Sequence, residues 1–138
     1  MILFVCTGNT CRSPLAAALA QKRGVPAASA GLAAQEGSPA SWGALCTAKR
    51  LGLDLSAHRA RAVTAEMVNE ASRVYAMTGW QAARLRAAYP HAAGKIAALD
   101  PEIPDPYGGG DGAYEACAQA LLFALDCAGI TGARASDA

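Results

Sequence analysis

The chain lacks three things that would point to large classes of partner. No apolar stretch approaches the roughly 20 residues that a bilayer span needs, so no membrane partner is expected. There is no excess of one charge. Twelve basic residues face eleven acidic ones, a net charge of +1, and only the run His58–Arg61 is locally dense in cations. That balance argues against bulk nucleic-acid binding. The cysteines, five in number, lack the even count of a disulfide framework and read as free thiols of a reducing compartment. The first strand-like run begins at Ile2, which leaves no room for a signal peptide, so a cytoplasmic protein is expected. Zinc-site spacing is missing too: His58 and His91 do not form one with Cys6 and Cys11.

What is present suits a folded protein. With 53% hydrophobic and 17% charged residues over 138 positions, the chain is expected to form one domain, residues 1–138, with a sizeable core. Ile2–Val5 reads as a short buried strand. Pro14 to about Arg23 reads as a helix, with proline in its first turn and Gly24 at its end. A second strand is expected at Ala27–Ala30, and a helix from Pro39 to Leu51, closed by Gly52. Thr64 caps a helix to about Ala71, and Val74–Met77 is a third strand. Thr78 caps a helix that ends before Tyr89-Pro90, and Lys95–Leu99 is a fourth strand. A Pro/Gly loop follows, then an apolar helix from Ala113 to about Ala128 and a frayed carboxyl end. Strands alternating with helices give an α/β fold, a parallel sheet with helices on both faces. Ligands of such sheets bind beyond the carboxyl ends of the strands. The loop after Cys6 and the Pro/Gly loop after the fourth strand should therefore meet.

The first of these loops, Cys6–Arg12, carries the chemistry. Gly8 permits positive φ and Asn9 tolerates it, so successive amides can turn inward as an anion nest. The helix beginning near Ser13 adds its dipole and free N–H groups. Arg12 offers a planar two-pronged donor to a phosphate-sized dianion. The same field favours the thiolate of Cys6, with Ser13 as hydrogen-bond donor to it, and a nucleophile at the floor of a phosphate cradle points to attack on phosphorus. Cys-x5-Arg alone is a weak signal; its setting between strand and helix is what sharpens it. Asp105, between Pro104 and Pro106, sits on a stiffened loop and can protonate a basic leaving group. Asp100-Pro101 is a decoy of the same type.

The segment "VCTGNTCRSP" resembles the phosphate-binding loop of the low-molecular-weight protein-tyrosine phosphatases. "SAG" at Ser29–Gly31, "HRARAVT" at His58–Thr64, "AMT" at Ala76–Thr78 and "DPYGG" at Asp105–Gly109 follow in the family's order. The resemblance implies a three-layer sandwich with a four-stranded parallel sheet of order 2-1-3-4. It implies Cys6 as nucleophile through a phosphocysteine, Arg12 as phosphate clamp, and Asp105 as acid and then base. Thr7, Gly8, Asn9, Thr10, Cys11 and Ser13 would line the anion site, and Tyr107 would stack on the substrate. Asn9, Ser13, Ser29 and His58 would hold the loop in a hydrogen-bond network. Phosphorylated proteins are the implied partners, the chain is taken as a monomer, and no metal or organic cofactor is implied.

Thr10 makes the loop similar to that of the protein-arginine phosphatases, a branch of the same family, where tyrosine-directed members usually carry an aliphatic residue. A hydroxyl wall costs a polar guanidinium less than a methyl wall does. Gln35, near where many tyrosine-directed members have a wall tryptophan, and Gly108 after Tyr107 lean the same way; the Leu32-Ala33-Ala34 run leans against. The reading is phosphoarginine, with phosphotyrosine as the alternative. An arsenate reductase of the same fold would need relay cysteines after the third strand, and residues 78–100 contain none. An inactive phosphate-binding module would dispense with Cys6 or Asp105. The Gly108–Gly112 run reads as a hinge. Cys46, Cys117 and Cys127 read as core residues on apolar helices. A reversible Cys6–Cys11 disulfide is conceivable if the loop brings the two within reach.

Overall fold

A computed structural model describes residues 1–131; the expected frayed end lies outside them. The elements are β1 (Ile2–Cys6), α1 (Arg12–Lys22), β2 (Ala27–Gly31), α2 (Trp42–Arg50), α3 (Ala65–Glu70), β3 (Arg73–Ala76), α4 (Gly79–Ala88), a 3-10 turn (Pro90–Lys95), β4 (Ile96–Ala98) and α5 (Asp111–Cys127). The four strands form one parallel sheet in the order β2-β1-β3-β4.

Side-chain alternation in β1 divides the core in two. Phe4 and Cys6 face a cluster built with Leu15 and Leu19 of α1 and Leu121 and Leu125 of α5. Leu3 and Val5 face the other, with Val68 of α3, Leu85 of α4 and Ile96 of β4. Both faces are therefore covered by helices, and the central strand is apolar throughout. No helix among the described residues is long and apolar enough to cross a membrane.

Several boundaries differ from expectation, each for a local reason. Helix α1 starts at Arg12 because Cys11 already occupies the cap position, which puts Pro14 third, where a missing N–H is still harmless. Helix α2 starts at Trp42, not Pro39. Pro39 bridges to Arg59, and Ser41 takes the cap by accepting from Ala44 N–H. Pro90 does not simply stop α4 but opens a 3-10 turn. The glycine run expected as a hinge before the last helix is shorter than Gly108–Gly112: Gly110 caps α5 and Gly112 lies within it. Of the three cysteines expected in the core, only Cys117 is fully buried; Cys46 is half-buried, and Cys127 is exposed at the end of α5.

The free edge of β2 is where the fold meets the site. Gly31 pairs with Ala62, and the N–H of Gly31 donates to the carbonyl of Arg61. The segment 58–63 therefore lies along that edge, beside the loop that leaves β1.

Candidate active site

Residues 6–12 run from the end of β1 to the first turn of α1. After β2 the chain grips this loop from behind: Leu32 N–H donates to Cys6 O and Ala33 N–H to Thr7 O, both at 2.9 Å. Gly31 permits that approach, since a Cβ there would stand 2.7 Å from the Thr7 carbonyl oxygen. The loop turns through Asn9, which has φ +58°, a conformation asparagine enters more readily than most residues.

Asn9 is fully buried and all its polar groups are engaged. Its side-chain amide donates to Ser13 Oγ at 2.8 Å and to Ser29 Oγ at 3.0 Å. Its side-chain oxygen accepts from Arg61 N–H at 3.0 Å. Its main-chain carbonyl accepts from His58 Nε2 at 2.7 Å, which fixes the proton of that ring on Nε2. Its main-chain N–H donates to Cys6 Sγ at 3.2 Å.

Ser13 Oγ lies 3.0 Å from Cys6 Sγ. The hydroxyl accepts from Asn9, and its own proton has two acceptors in reach, the Ala30 carbonyl at 3.4 Å and, when the thiol is ionised, the sulfur. Cys6 Sγ thus has the Asn9 N–H and the Ser13 hydroxyl beside it at the base of a cleft of about 230 Å³, lined by the whole loop together with Asp105 and Tyr107. At the start of α1 the N–H groups of Arg12 and Ser13 have no intrahelical partner; Pro14 has none to offer, and Leu15 N–H binds Cys11 O. Those two N–H groups are free to serve an anion at the helix start.

Arg12 is buried, and its Nη1 donates to the carbonyl of Ile103 at 3.0 Å. Ile103 N–H in turn binds Met77 O at the end of β3. Asp105 follows two residues later. Its Oδ1 accepts from Tyr107 N–H at 3.0 Å, and its Oδ2 stands 3.9 Å from Arg12 Nη2. That carboxyl is 57% exposed, so one oxygen is held by the turn and the other opens to the cleft. Thr10 is half-buried in the cleft wall. Asp100 lies elsewhere, in a pocket between β4 and α5. Gln35 does not line the cleft: it is exposed in a turn, its carbonyl accepting from Ser38 N–H.

Cys11 does not face Cys6 as a hydrogen-bond partner. Its sulfur sits 3.1 Å from Ser41 Oγ and 3.5 Å from the Tyr114 hydroxyl, which are 3.1 Å apart from each other. Burial holds the Tyr114 phenol above its ordinary pKa. This triangle escaped the sequence reading, because its members are 103 residues apart in the chain. So did Arg61, which reaches Asn9 through its main chain and Ser29 O through Nε.

Gln81 was missed but was findable. Its Oε1 accepts from Met77 and Thr78 N–H, and its Nε2 donates to Thr7 Oγ1 at 3.1 Å. Thr78-x-x-Gln81 is a capping box, visible in the sequence as soon as Thr78 is taken for the cap. Among the described residues no group of three His, Cys, Asp or Glu is placed to hold a metal ion.

Comparison with known proteins gives this geometry a context. The family model "Low molecular weight phosphotyrosine protein phosphatase" matches residues 1–126. A protein-arginine-phosphatase of Geobacillus stearothermophilus is 39% identical over 135 residues, covering 91% of this chain and 90% of the relative. A probable low molecular weight protein-tyrosine-phosphatase, EpsP, of Ralstonia solanacearum is 39% identical over 112 residues, 77% of each chain. Among solved structures, YwlE arginine phosphatase of G. stearothermophilus superposes with a TM-score of 0.86 at 39% identity, covering 91% of this chain and 87% of that one. Wzb of Vibrio vulnificus, solved with benzylphosphonate, gives 0.86 at 30% identity over 91% of this chain and 94% of its own.

Proposed function

The chain belongs to the low molecular weight phosphotyrosine protein phosphatase family and is a cysteine-dependent protein phosphatase, and from that premise we propose that its substrate is phosphoarginine in proteins. The observation that carries the choice is Thr10, whose side chain stands in the wall of the cleft above Cys6. A phosphoarginine brings polar N–H groups past that wall, and a hydroxyl accepts from them where an aliphatic side chain leaves them unpaired. The Geobacillus relative named for this activity supports the reading.

The distances support the following chemistry. The phosphoryl group enters the cradle with its oxygens on the main-chain N–H groups and on Arg12. The Cys6 thiolate, facing the Asn9 and Ser13 donors, attacks phosphorus as the P–N bond breaks. Asp105 gives its proton to the departing guanidine nitrogen. A phosphocysteine remains. Water then attacks phosphorus, Asp105 takes its proton, the S–P bond breaks, and Ser13 O–H stabilises the returning sulfur anion. Inorganic phosphate leaves. Arg12 neutralises charge on the equatorial oxygens in both steps. We place the enzyme in the cytoplasm as a monomer, where a reducing environment keeps Cys6 a thiol.

Phosphotyrosine is the second reading. Tyr107, 78% exposed at the cleft mouth, offers a stacking face to a phenol as well as to a guanidinium, and the Ralstonia relative is named for tyrosine. One experiment separates them: kcat/KM on matched phosphoarginine and phosphotyrosine peptides, for the natural chain and for Thr10→Ile. Phosphoarginine is expected to be preferred by the natural chain, and Thr10→Ile to move the ratio at least about tenfold towards phosphotyrosine, the equivalent of one hydrogen bond. A preference for phosphotyrosine by the natural chain, or a ratio indifferent to the substitution, overturns the choice.

A further inference from the structure

On the far side of Tyr107 from the cleft lies a second, wider groove of about 420 Å³. Its outer wall is Trp42, the first residue of α2, 79% exposed. Its floor is Gly108–Gly110, and Asp111 at the start of α5 is the one charged residue lining it. The chemistry described above uses none of Trp42, Gly110 or Asp111.

Three observations give the groove an occupant. First, it adjoins the cleft, since Tyr107 lines both. A side chain that places its phosphoryl group on Cys6 leaves its own backbone at the cleft mouth, so the polypeptide must run out over a neighbouring surface. Second, the floor carries no side chains: a Cβ at Gly108 or Gly110 would meet nothing within 4 Å, so another chain can approach closely there, although Gly109 N–H is bound to Pro106 O and Gly110 O to the start of α5. Third, the outer wall is held in register with the phosphate loop. Ser41 N–H donates to Thr10 O at 2.9 Å, and Trp42 is the next residue. A tryptophan face beside a lone carboxylate matches a cation by both its quadrupole and its charge.

We infer that this groove takes the substrate polypeptide on one side of its phosphorylated residue, with a lysine or arginine side chain lying against Trp42 and Asp111. The inference rests on the protein-phosphatase reading, and the test keeps the two apart. Phosphopeptides carrying lysine or glutamate beside the phosphorylated residue, on each side in turn, are compared with a small aryl phosphate that reaches only the cleft. For the natural chain the lysine peptide on one side is preferred. Trp42→Ala lowers kcat/KM on that peptide about five- to tenfold, the range of an exposed cation–π contact with its attendant burial, and leaves the aryl phosphate within about twofold. Asp111→Asn removes the preference for lysine over glutamate. Binding is read separately from the fluorescence of Trp42 in a Trp80→Phe background. If no substrate is turned over but the lysine peptide still changes that fluorescence, the phosphatase reading fails and the groove stands. Unchanged Trp42 fluorescence, or equal losses on peptide and aryl phosphate in Trp42→Ala, overturns the groove.

Discussion

Arg12 Nη1 donates to the main-chain carbonyl of Ile103 across 3.0 Å, two residues before Asp105. The residue proposed to grip phosphate therefore also tethers the loop that carries the proposed proton donor. Arg12→Lys keeps the positive charge but loses the fork, so it cannot bind two phosphate oxygens and Ile103 at once. A fall in kcat of at least about a hundredfold is expected, as for loss of an oxyanion donor. Charge alone is not enough, and stopped-flow turnover of an aryl phosphate by the lysine variant near natural rates would refute the tether.

Asp105→Ala tests the proton. Its effect should grow with leaving-group basicity, since a poor leaving group needs protonation and a good one does not. Across aryl phosphates from nitrophenol to phenol, the plot of log kcat/KM against leaving-group pKa steepens in the variant. A constant offset across the series would remove Asp105 from the acid role.

Asn9→Ala removes the hub. Five hydrogen-bond partners of its side chain and main chain join the loop to segments far along the chain, and the side-chain losses strand Ser13, Ser29 and the Arg61 N–H. The φ of +58° adds strain for alanine. A destabilisation of about 2–4 kcal/mol is expected from urea unfolding. Asn9→Gly separates the causes: it relieves the backbone strain, recovering about 1 kcal/mol, and restores none of the bonds.

Cys117 sets an alkaline limit on stability. Burial pushes its thiol from about 9 up to about 12, against a smaller downward pull from Arg12. An unfolded thiol ionises above about pH 9 while the folded one keeps its proton, so the folded state binds more protons in that window. Stability is complete below about 9 and falls as pH rises towards 12. Tyr114, whose phenol is also raised by burial, adds to the fall above its ordinary value of 10. Urea midpoints should decline between about pH 9 and about pH 12, and Cys117→Ala should flatten the decline.

Much of this was legible in the sequence because it is encoded locally. Cys6, Gly8, Asn9, Arg12 and Ser13 lie within eight consecutive residues that run from the end of a strand through a loop into the first turn of a helix, all short-range signals. The sheet order came from the family resemblance, and the structure has it. Boundaries slipped where a residue had a tertiary partner that propensity cannot see, as with Pro39 bridged to Arg59. Cys127 was misplaced because an apolar helix of 17 residues has an outer side: in its last turn Ala124 and Leu125 are buried while Cys127 faces out. The Cys11–Ser41–Tyr114 triangle depends on the meeting of α1, α2 and α5, and no local pattern announces it.

The four links of Asn9 to Ser13, Ser29, His58 and Arg61 also bear on when the proposed nucleophile gains its setting. In chain order the sulfur comes well before the stretch around position 60, and its cradle is not complete until that stretch has docked on the second strand. Until then the thiol has no shaped anion site above it. Reactivity towards phosphorus thus arrives with completion of the tertiary structure, and a truncated or half-folded product carries the motif without the enzyme.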